Sequence, residues 1–375
     1  FVYMPQSDGT HTLDGVLSCN DEQVAELSGT YKSEESDLDA ELRMTHMPVR
    51  LINGFIPDRI IRLTGYADGE LAVKGKLDNP RANGEIKFDS CYMRSAQYGI
   101  KMRWSEEPVR IVGSNLLFEN FKMYSNNDNP LTIDGNVDFS DINNMNMDLN
   151  IAARNFKIID AKGNRRSIAF GKAFVDVFAT MRGPLERLEM LGRLDVLGST
   201  DMSYILRDTP LSTDNRMDEL VKFVNFEDTA ATVVEHQPIS GFKMDLTLNV
   251  AQGAHIMCYL NDDHSNYIDL MGGGSLRMQY GLTGDIRLTG RYTLDNGTMK
   301  YSLPVIPLKT FTIQDGSYIE FTGDPMNPRL NITATERTRA NVSSGGSSEG
   351  RTVEFDCGVV ITKTLSDMGL EFTIS

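Results

Sequence analysis

Residues 311–336, FTIQDGSYIEFTGDPMNPRLNITATE, place an apolar side chain on every second position: Phe311 and Ile313, then Ile319 and Phe321, then Leu330 and Ile332. Turn-forming residues break the pattern at Asp315-Gly316 and across Asp324-Pro325-Met326-Asn327-Pro328. Alternation of period two marks a half-buried strand, so the stretch predicts three short strands with one apolar and one polar face. A slip of one residue would turn the apolar set to the wrong side, so their register is strongly specified.

The same pattern runs outward along the chain. Leu71, Val73, Gly75 and Leu77 alternate with polar residues, and after Asn79-Pro80 come Ile86 and Phe88. Leu131, Ile133, Gly135, Val137 and Phe139 repeat it, as do Val175, Val177, Ala179 and Met181, followed beyond Gly183-Pro184 by Leu194 and Val196. Phe242, Met244, Leu246, Leu248 and Val250 form another run, continued by Met257 and Tyr259. The longest is Leu282, Gly284, Ile286, Leu288, Gly290, Tyr292 and Leu294. There Asn296-Gly297, a strong hairpin dipeptide, predicts a return strand carrying Met299, Tyr301 and Leu303.

Segments 73–90, 180–199 and 320–334 share a strand, a Pro-containing turn and a second strand, at irregular spacing. This describes a meander of hairpins and not a fixed-period solenoid. Roughly 20 strands at ~4.7 Å each would make a ribbon ~90 Å long, more than one sandwich holds. A β-sandwich or closed barrel would also hide such faces. Against both stand the glycines on the apolar face itself, Gly75, Gly135, Gly284 and Gly290. Glycine weakens a strand interior unless the sheet bends or something approaches closely. These positions fit a long sheet curled about its apolar side, leaving a groove that would accept acyl chains at about 0.8 kcal/mol per buried CH2.

Two stretches read as helix. Residues 46–58 have Pro48 near the first turn and Leu51, Ile52, Phe55 and Ile56 on one face; residues 213–224 place Met217, Leu220, Val221 and Val224 behind a Ser/Thr/Asp cap. The second helix either packs on the sheet or gates lateral entry to a groove. Residues 1–12, 226–238 and the Gly/Ser stretch 341–350 read as loose. The expected division is 1–40 entry strands with a loose N-terminal segment, 41–210 curled-sheet repeats, 211–238 helix and loop, and 239–375 a C-terminal unit.

A net charge of −15 over 375 residues, with a pI near 4.8, argues against nucleic acid and against a basic patch gripping anionic headgroups. Cys19, Cys91, Cys258 and Cys357 form no C-x-x-C pair, which disfavours structural zinc and thioredoxin-like chemistry and leaves the thiols free or bridged. No apolar run approaches the roughly 18 residues of a membrane-spanning helix. The opening at Phe1 and the close at LEFTIS predict a piece of a longer protein, with any signal or anchor outside it.

His255, Cys258, Asp262, Asp263 and His264 could be offered as a metal site. Alternation puts His255 and Met257 on one face and Cys258 on the other, and Asp262–His264 read as a solvated turn. His11, His46 and His236 are scattered, so no catalytic triad can be assembled. Gly272-Gly273-Gly274 precedes a strand instead of a helix and predicts a turn, not a phosphate cradle. Neither a catalytic residue nor a cofactor is expected.

Residues 284–336 resemble the C-terminal signature of the TamB family, translocation and assembly module proteins of bacterial envelopes. The elements match in order: the strand Gly284–Tyr292, the return Gly297–Tyr301, FTIQDGSYIEFTGDP and LNITA. RTVEFDCGVVIT (351–362) and LEFTIS continue the pattern, and residues 47–88 are similar to the family's helix-then-hairpin repeat, so the resemblance spans 40–375. It implies a β-taco, which is mainly β: an elongated, curled antiparallel sheet with a hydrophobic groove and one or two short helices. It further implies a non-enzymatic periplasmic segment of a protein anchored in the inner membrane. Such a protein would serve outer-membrane biogenesis with an outer-membrane barrel partner and pass phospholipid between membranes. The lining expected of the groove is Leu282, Ile286, Leu288, Tyr292, Met299, Tyr301, Phe311, Ile313, Ile319 and Phe321. A chaperone-like module that pairs its strand edges with unfolded barrel strands is the alternative. A surface β-solenoid adhesin or polysaccharide enzyme would show a stricter repeat and an acidic or aromatic sugar site, and a membrane barrel would show aromatic girdles.

Overall fold

The computed structural model describes the chain except for residues 1, 6–8, 56–60, 77–78, 96–98, 126–127, 142–143, 165–166, 206–241, 260–263, 282–284, 302–308, 326, 343–350, 365 and 375. The described residues form one 22-stranded, mostly antiparallel sheet. The first part comprises β1 (Val2–Pro5), β2 (Thr10–Cys19), β3 (Glu22–Lys32), β4 (Asp37–Pro48), β5 (Arg62–Lys76) and β6 (Arg81–Ser95). The middle comprises β7 (Ile100–Trp104), β8 (Val109–Val112), β9 (Asn115–Tyr124), β10 (Pro130–Asp138), β11 (Asn146–Ala161), β12 (Ala169–Pro184), β13 (Glu189–Val196) and β14 (Asp201–Ile205). The last part comprises β15 (Lys243–Tyr259), β16 (Tyr267–Tyr280), β17 (Ile286–Tyr301), β18 (Lys309–Ile313), β19 (Tyr318–Gly323), β20 (Arg329–Val342), β21 (Arg351–Thr364) and β22 (Asp367–Ile374).

Neighbours in sequence are neighbours in space, with three exceptions of one kind. β7 and β8 lie end to end between β6 and β9, β13 and β14 between β12 and β15, and β18 and β19 between β17 and β20. Twenty-two strands therefore fill nineteen lanes, or roughly 85 Å across at ~4.7 Å per lane. β13 and β14 run parallel to β15; the other pairings are antiparallel. β1 and β22 each pair on one side only among the described residues, so the sheet is open and is neither a sandwich nor a closed barrel.

Register puts apolar residues opposite apolar residues from β3 to β19. One row reads Leu27, Leu42, Leu71, Gly84, Ile111, Leu116, Val137 and Met147. Another reads Val177, Leu194, Leu248, Leu276, Gly290 and Phe321. The other face carries cross-strand ion pairs such as Arg43–Glu70 at 3.0 Å, Lys74–Asp39 at 3.1 Å, Arg182–Asp148 at 2.8 Å and Arg337–Asp356 at 2.9 Å. Exposed pairs contribute about 0–1 kcal/mol each, so the apolar face and the backbone ladders supply most of the stability.

The strands bend at a repeated device. In β4, β9 and β11 two residues oppose a single residue of the neighbour, and that single residue is an aspartate: Asp68, Asp134 and Asp176. The second bulge residue is His46, Asn120 or Asn155, held at φ of 52°, 56° and 46°. Its backbone N–H donates to the aspartate Oδ1 at 2.7 Å in all three cases. The extra residue is exposed on the polar face, lengthens that face, and turns the strand toward the apolar side. Gly135 and Gly290, two of the apolar-face glycines, sit at φ of 133° and 125°, which side chains of L-residues rarely adopt.

Curvature is direct at one place. Cα atoms of β7 and β11 come within 8 Å of each other, whereas three lane spacings in a flat sheet would separate them by ~14 Å. A Cβ on Gly99 would lie 2.7 Å from Cβ of Ala161, so glycine permits the closure. Inside it, Met102, Phe121, Phe156 and Val175 are buried together, and Phe88, Trp104, Phe121 and Phe118 meet edge to face. The single tryptophan thus belongs to an aromatic cluster whose members are dispersed in sequence.

Several local expectations are corrected. Residues Val49–Phe55 form a 3₁₀ segment and not an α-helix. Its three-residue repeat buries Val49, 2% exposed, and leaves Leu51 43% exposed. Asn53 ties it down by bonding both N and O of Leu63. Asn296-Gly297 is no hairpin: β17 keeps β16 as its partner throughout, and the dipeptide follows the bulge where its other neighbour changes from β19 to β18. Gly272–Gly274 lies within β16, where a Cβ on Gly273 would come 2.7 Å from the Val250 carbonyl, so these glycines serve close backbone approach. Residues 2–5 and 10–12 are in strands, not loose. The helix expected at 213–224 lies outside the described residues.

Candidate binding surface

Along β17 the apolar face runs from open to sealed. Ile286 is 50% exposed, Leu288 half-buried, Tyr292 6% exposed and Leu294 fully buried. Three rows link these positions across the sheet. Met190, Met244, Tyr280 and Ile286 form the row at the strand end. Gly192, Leu246, Met278, Leu288 and Gly323 form the next. Val196, Val250, Gly274, Tyr292, Ile319 and Leu330 lie deeper. The depth of a position is set by its distance from the bend: beyond Leu294 the ladder shifts, β19 gives way to β18, and Met299 faces Phe311.

Of the ten residues expected to line a groove, eight can be placed by side chain. Tyr292, Met299, Phe311 and Ile313 are buried in one cluster, with Ile319 and Phe321 packed against it. Ile286 and Leu288 lie on the same face nearer the strand end. Tyr301 falls at the end of β17, and Leu282 lies outside the described residues. Sequence reading missed that Leu270, Leu294, Ile332, Ala334, Val359 and Ile361 are the other buried members of this cluster. Leu330 and Ile332 were visible as alternating positions, and the remainder share the pattern; what alternation lacks is depth.

At the strand-end row a concavity of ≈ 500 Å³ opens, lined by Met190, Met244 and Tyr280 and edged by Glu189, Lys243 and Arg287. The surface therefore passes from aliphatic to charged within one strand turn. Its chemistry is burial and ion pairing. Among the described residues no group of three or more His, Cys, Asp or Glu is arranged to hold a metal, and all four cysteines are free. Burial pushes the thiols of Cys91 and Cys258 up to about 11, so neither is a poised nucleophile.

His255 occupies the polar face of β15, with Cys258 on the apolar face as alternation requires. It clamps three lanes: Nδ1 lies 2.8 Å from Asp201 of β14 and Nε2 2.6 Å from Asp269 of β16. Asp262 and Asp263 lie outside the described residues, and His264 stacks on Tyr259 with ring centroids 4.0 Å apart. Burial alone would lower the His255 pKa, but the hydrogen bonds and charges of the two carboxylates outweigh it, and the net shift is upward. A raised folded-state pKa gives stability that is complete below the unfolded pKa and lost as pH rises through the folded one. An NMR titration should show His255 above an ordinary histidine, with Asp269→Asn bringing it down; an unshifted His255 would mean the clamp does not form.

Residues 119–375 match the family model described as the TamB C-terminal domain. No curated protein matches the chain. The stretch 40–118, included in the resemblance expected from the sequence, lies outside the matched region. Among the described residues no helix is long and apolar enough to cross a membrane.

Proposed function

This chain belongs to the TamB family, a transport and assembly family without a catalytic role, and from that premise we propose that its apolar face is the wall of a trough carrying phospholipid acyl chains through the periplasm between inner and outer membranes. The observation that carries this reading is the apolar face, in register from β3 to β11 and from β12 to β19 and ending at an open row beside charged residues. Acyl chains would lie against Ile286, Leu288, Met244 and Tyr280. Headgroups would stay at the charged edge near Lys243 and Arg287, with no dedicated headgroup pocket. At about 0.8 kcal/mol per CH2, a whole acyl tail supplies a driving force large enough to hold lipid, and a uniform wall lets it slide.

The family in general works with TamA, and an outer-membrane barrel of that type would receive the lipid or the protein cargo. A second reading, strand pairing with unfolded barrel proteins, is favoured by β22. Leu370, Phe372 and Ile374 are exposed there, and the strand's far side pairs with no described strand. The two readings separate in one experiment. Native mass spectrometry with lipid extraction should find phospholipid on the purified chain and lose it in Ile286→Asp. A chain free of lipid, with barrel-assembly activity abolished by proline in β22, would install the second reading.

A further inference from the structure

The polar face answers many of its cations with carboxylates: Arg43 with Glu70, Lys74 with Asp39, Arg110 with Glu119, Arg182 with Asp148 and Arg337 with Asp356. One place departs from that pattern. Arg62, Arg94 and Lys101 stand directly opposite one another on β5, β6 and β7, and Arg103 follows two residues along β7. All four are exposed. Among the described residues Arg62, Arg94 and Lys101 have no ion-pair partner, and Arg103 has only Glu106 at 3.9 Å. Like charges directly opposite on neighbouring strands destabilise a sheet. The row is nonetheless held in place. Arg94 and Lys101 flank the half-buried Tyr92 ring at 4.9 and 5.4 Å, and Arg103 lies 5.1 Å from the centre of the Tyr124 ring. Aromatic faces hold such cations without neutralising them, so the charges remain available to a partner.

We propose that this patch docks on the surface of an anionic phospholipid bilayer. The cations project side by side from a sheet face, so the partner must offer several negative charges laid out in a plane. β6 is paired on both sides here, which leaves Tyr92 and Arg94 in the middle of the sheet, where an acidic peptide finds no strand edge to join. A bilayer of anionic headgroups meets both conditions. Each Lys or Arg held against such a surface strengthens association about fivefold, so four acting together give roughly several hundredfold. Tyrosine is also a residue type that settles at the headgroup level. The net charge of −15 argues against a basic patch and conceals this one. At physiological salt, exposed carboxylates more than ~8 Å away are largely screened, so the local cations decide. Leu63, Met93 and Met102 occupy the opposite, apolar side of the same strand ends. A docked bilayer would thus lie beside the rim of the apolar face, but docking itself does not rest on the conduit reading.

Flotation of the whole chain tests this, with vesicles of phosphatidylcholine containing phosphatidylglycerol and with vesicles of phosphatidylcholine alone. The chain should bind the anionic vesicles about a hundredfold or more tightly than the neutral ones. It should leave them in ~1 M sodium chloride, where the Debye length is ~3 Å. Arg94→Glu should weaken anionic binding about 25-fold, one attraction lost and one repulsion gained. The same variant should melt no lower than the parent, since a carboxylate would then stand opposite both Arg62 and Lys101. Arg337→Glu, an equal change of net charge at a cation already paired, should bind like the parent. Equal weakening by both variants would make net charge the cause and overturn the patch. Salt-insensitive binding to both kinds of vesicle would put the contact on the apolar face and overturn it too. Binding of polyglutamate but not of anionic vesicles would assign the patch to an acidic protein. A parent that ignores anionic vesicles overturns the docking and leaves the conduit standing, whereas a purified chain free of lipid counts against the conduit alone.

Discussion

Leu294→Asp will unfold the chain, while Ile286→Asp, eight residues earlier on the same face of the same strand, will not. Leu294 is fully buried, its N–H bonds the Ser317 carbonyl at 2.9 Å, and Leu270, Phe311 and Ile332 belong to the same cluster. A carboxylate there loses the leucine's packing and finds no partner for its charge. The two losses together amount to about 5 kcal/mol or more. Total stabilities run to about 5–15 kcal/mol, so such a variant should be unfolded or aggregated at 37 °C. Ile286 is 50% exposed, and a carboxylate there keeps most of its hydration. The cost is the half-buried area, about 1 kcal/mol. Denaturant melts of the two variants measure the gradient of depth along β17. If Leu294→Asp melts like Ile286→Asp, the deep end of the face is wet and the trough has no sealed floor.

How much of this was legible beforehand depends on what a residue's neighbours do. The three strands of 311–336 stand as read, with a turn at 315–316, because alternation and turn chemistry are local. One-face apolarity also followed, since register is forced by it. Depth did not follow: Ile286 and Leu294 look alike in the sequence but one is half exposed and the other fully buried, because the residues that cover Leu294 come from other strands. The same limit misled at one dipeptide, Asn296-Gly297. Asp315-Gly316 is a real turn, but Asp68-Gly69, Asp134-Gly135 and Asn296-Gly297 lie inside strands. In the first two, the aspartate answers a bulge on the preceding or earlier neighbour, 14 to 22 residues away in the chain. His255 was read within its own segment, but its partners are Asp201, 54 residues upstream, and Asp269, 14 downstream. Tyr292 falls on the apolar face as its alternation implies, but only packing reveals that its hydroxyl meets no partner among the described residues.

Removing the bulge clamps together should flatten the sheet. Asp68, Asp134 and Asp176 each accept a backbone N–H at 2.7 Å from a residue with positive φ. His46, Asn120 and Asn155 gain little by themselves from that conformation, and the aspartate bond offsets its cost. Alanine at one position removes a charge-assisted bond worth about 1–2 kcal/mol at an exposed site. The three lie on β5, β10 and β12, separated enough for near-additive effects, so the triple variant should lose about 3–5 kcal/mol. Asparagine keeps an acceptor oxygen and should restore roughly half. The more telling readout is shape. The clamps do not touch the apolar face, so a flattened sheet would expose that face without changing one of its side chains. Small-angle scattering should show a larger radius of gyration, and an apolar dye should bind more. If the triple alanine variant is less stable but equally compact, the bend is enforced by the glycines and the buried clusters, and the aspartates merely satisfy a turn that packing has already made.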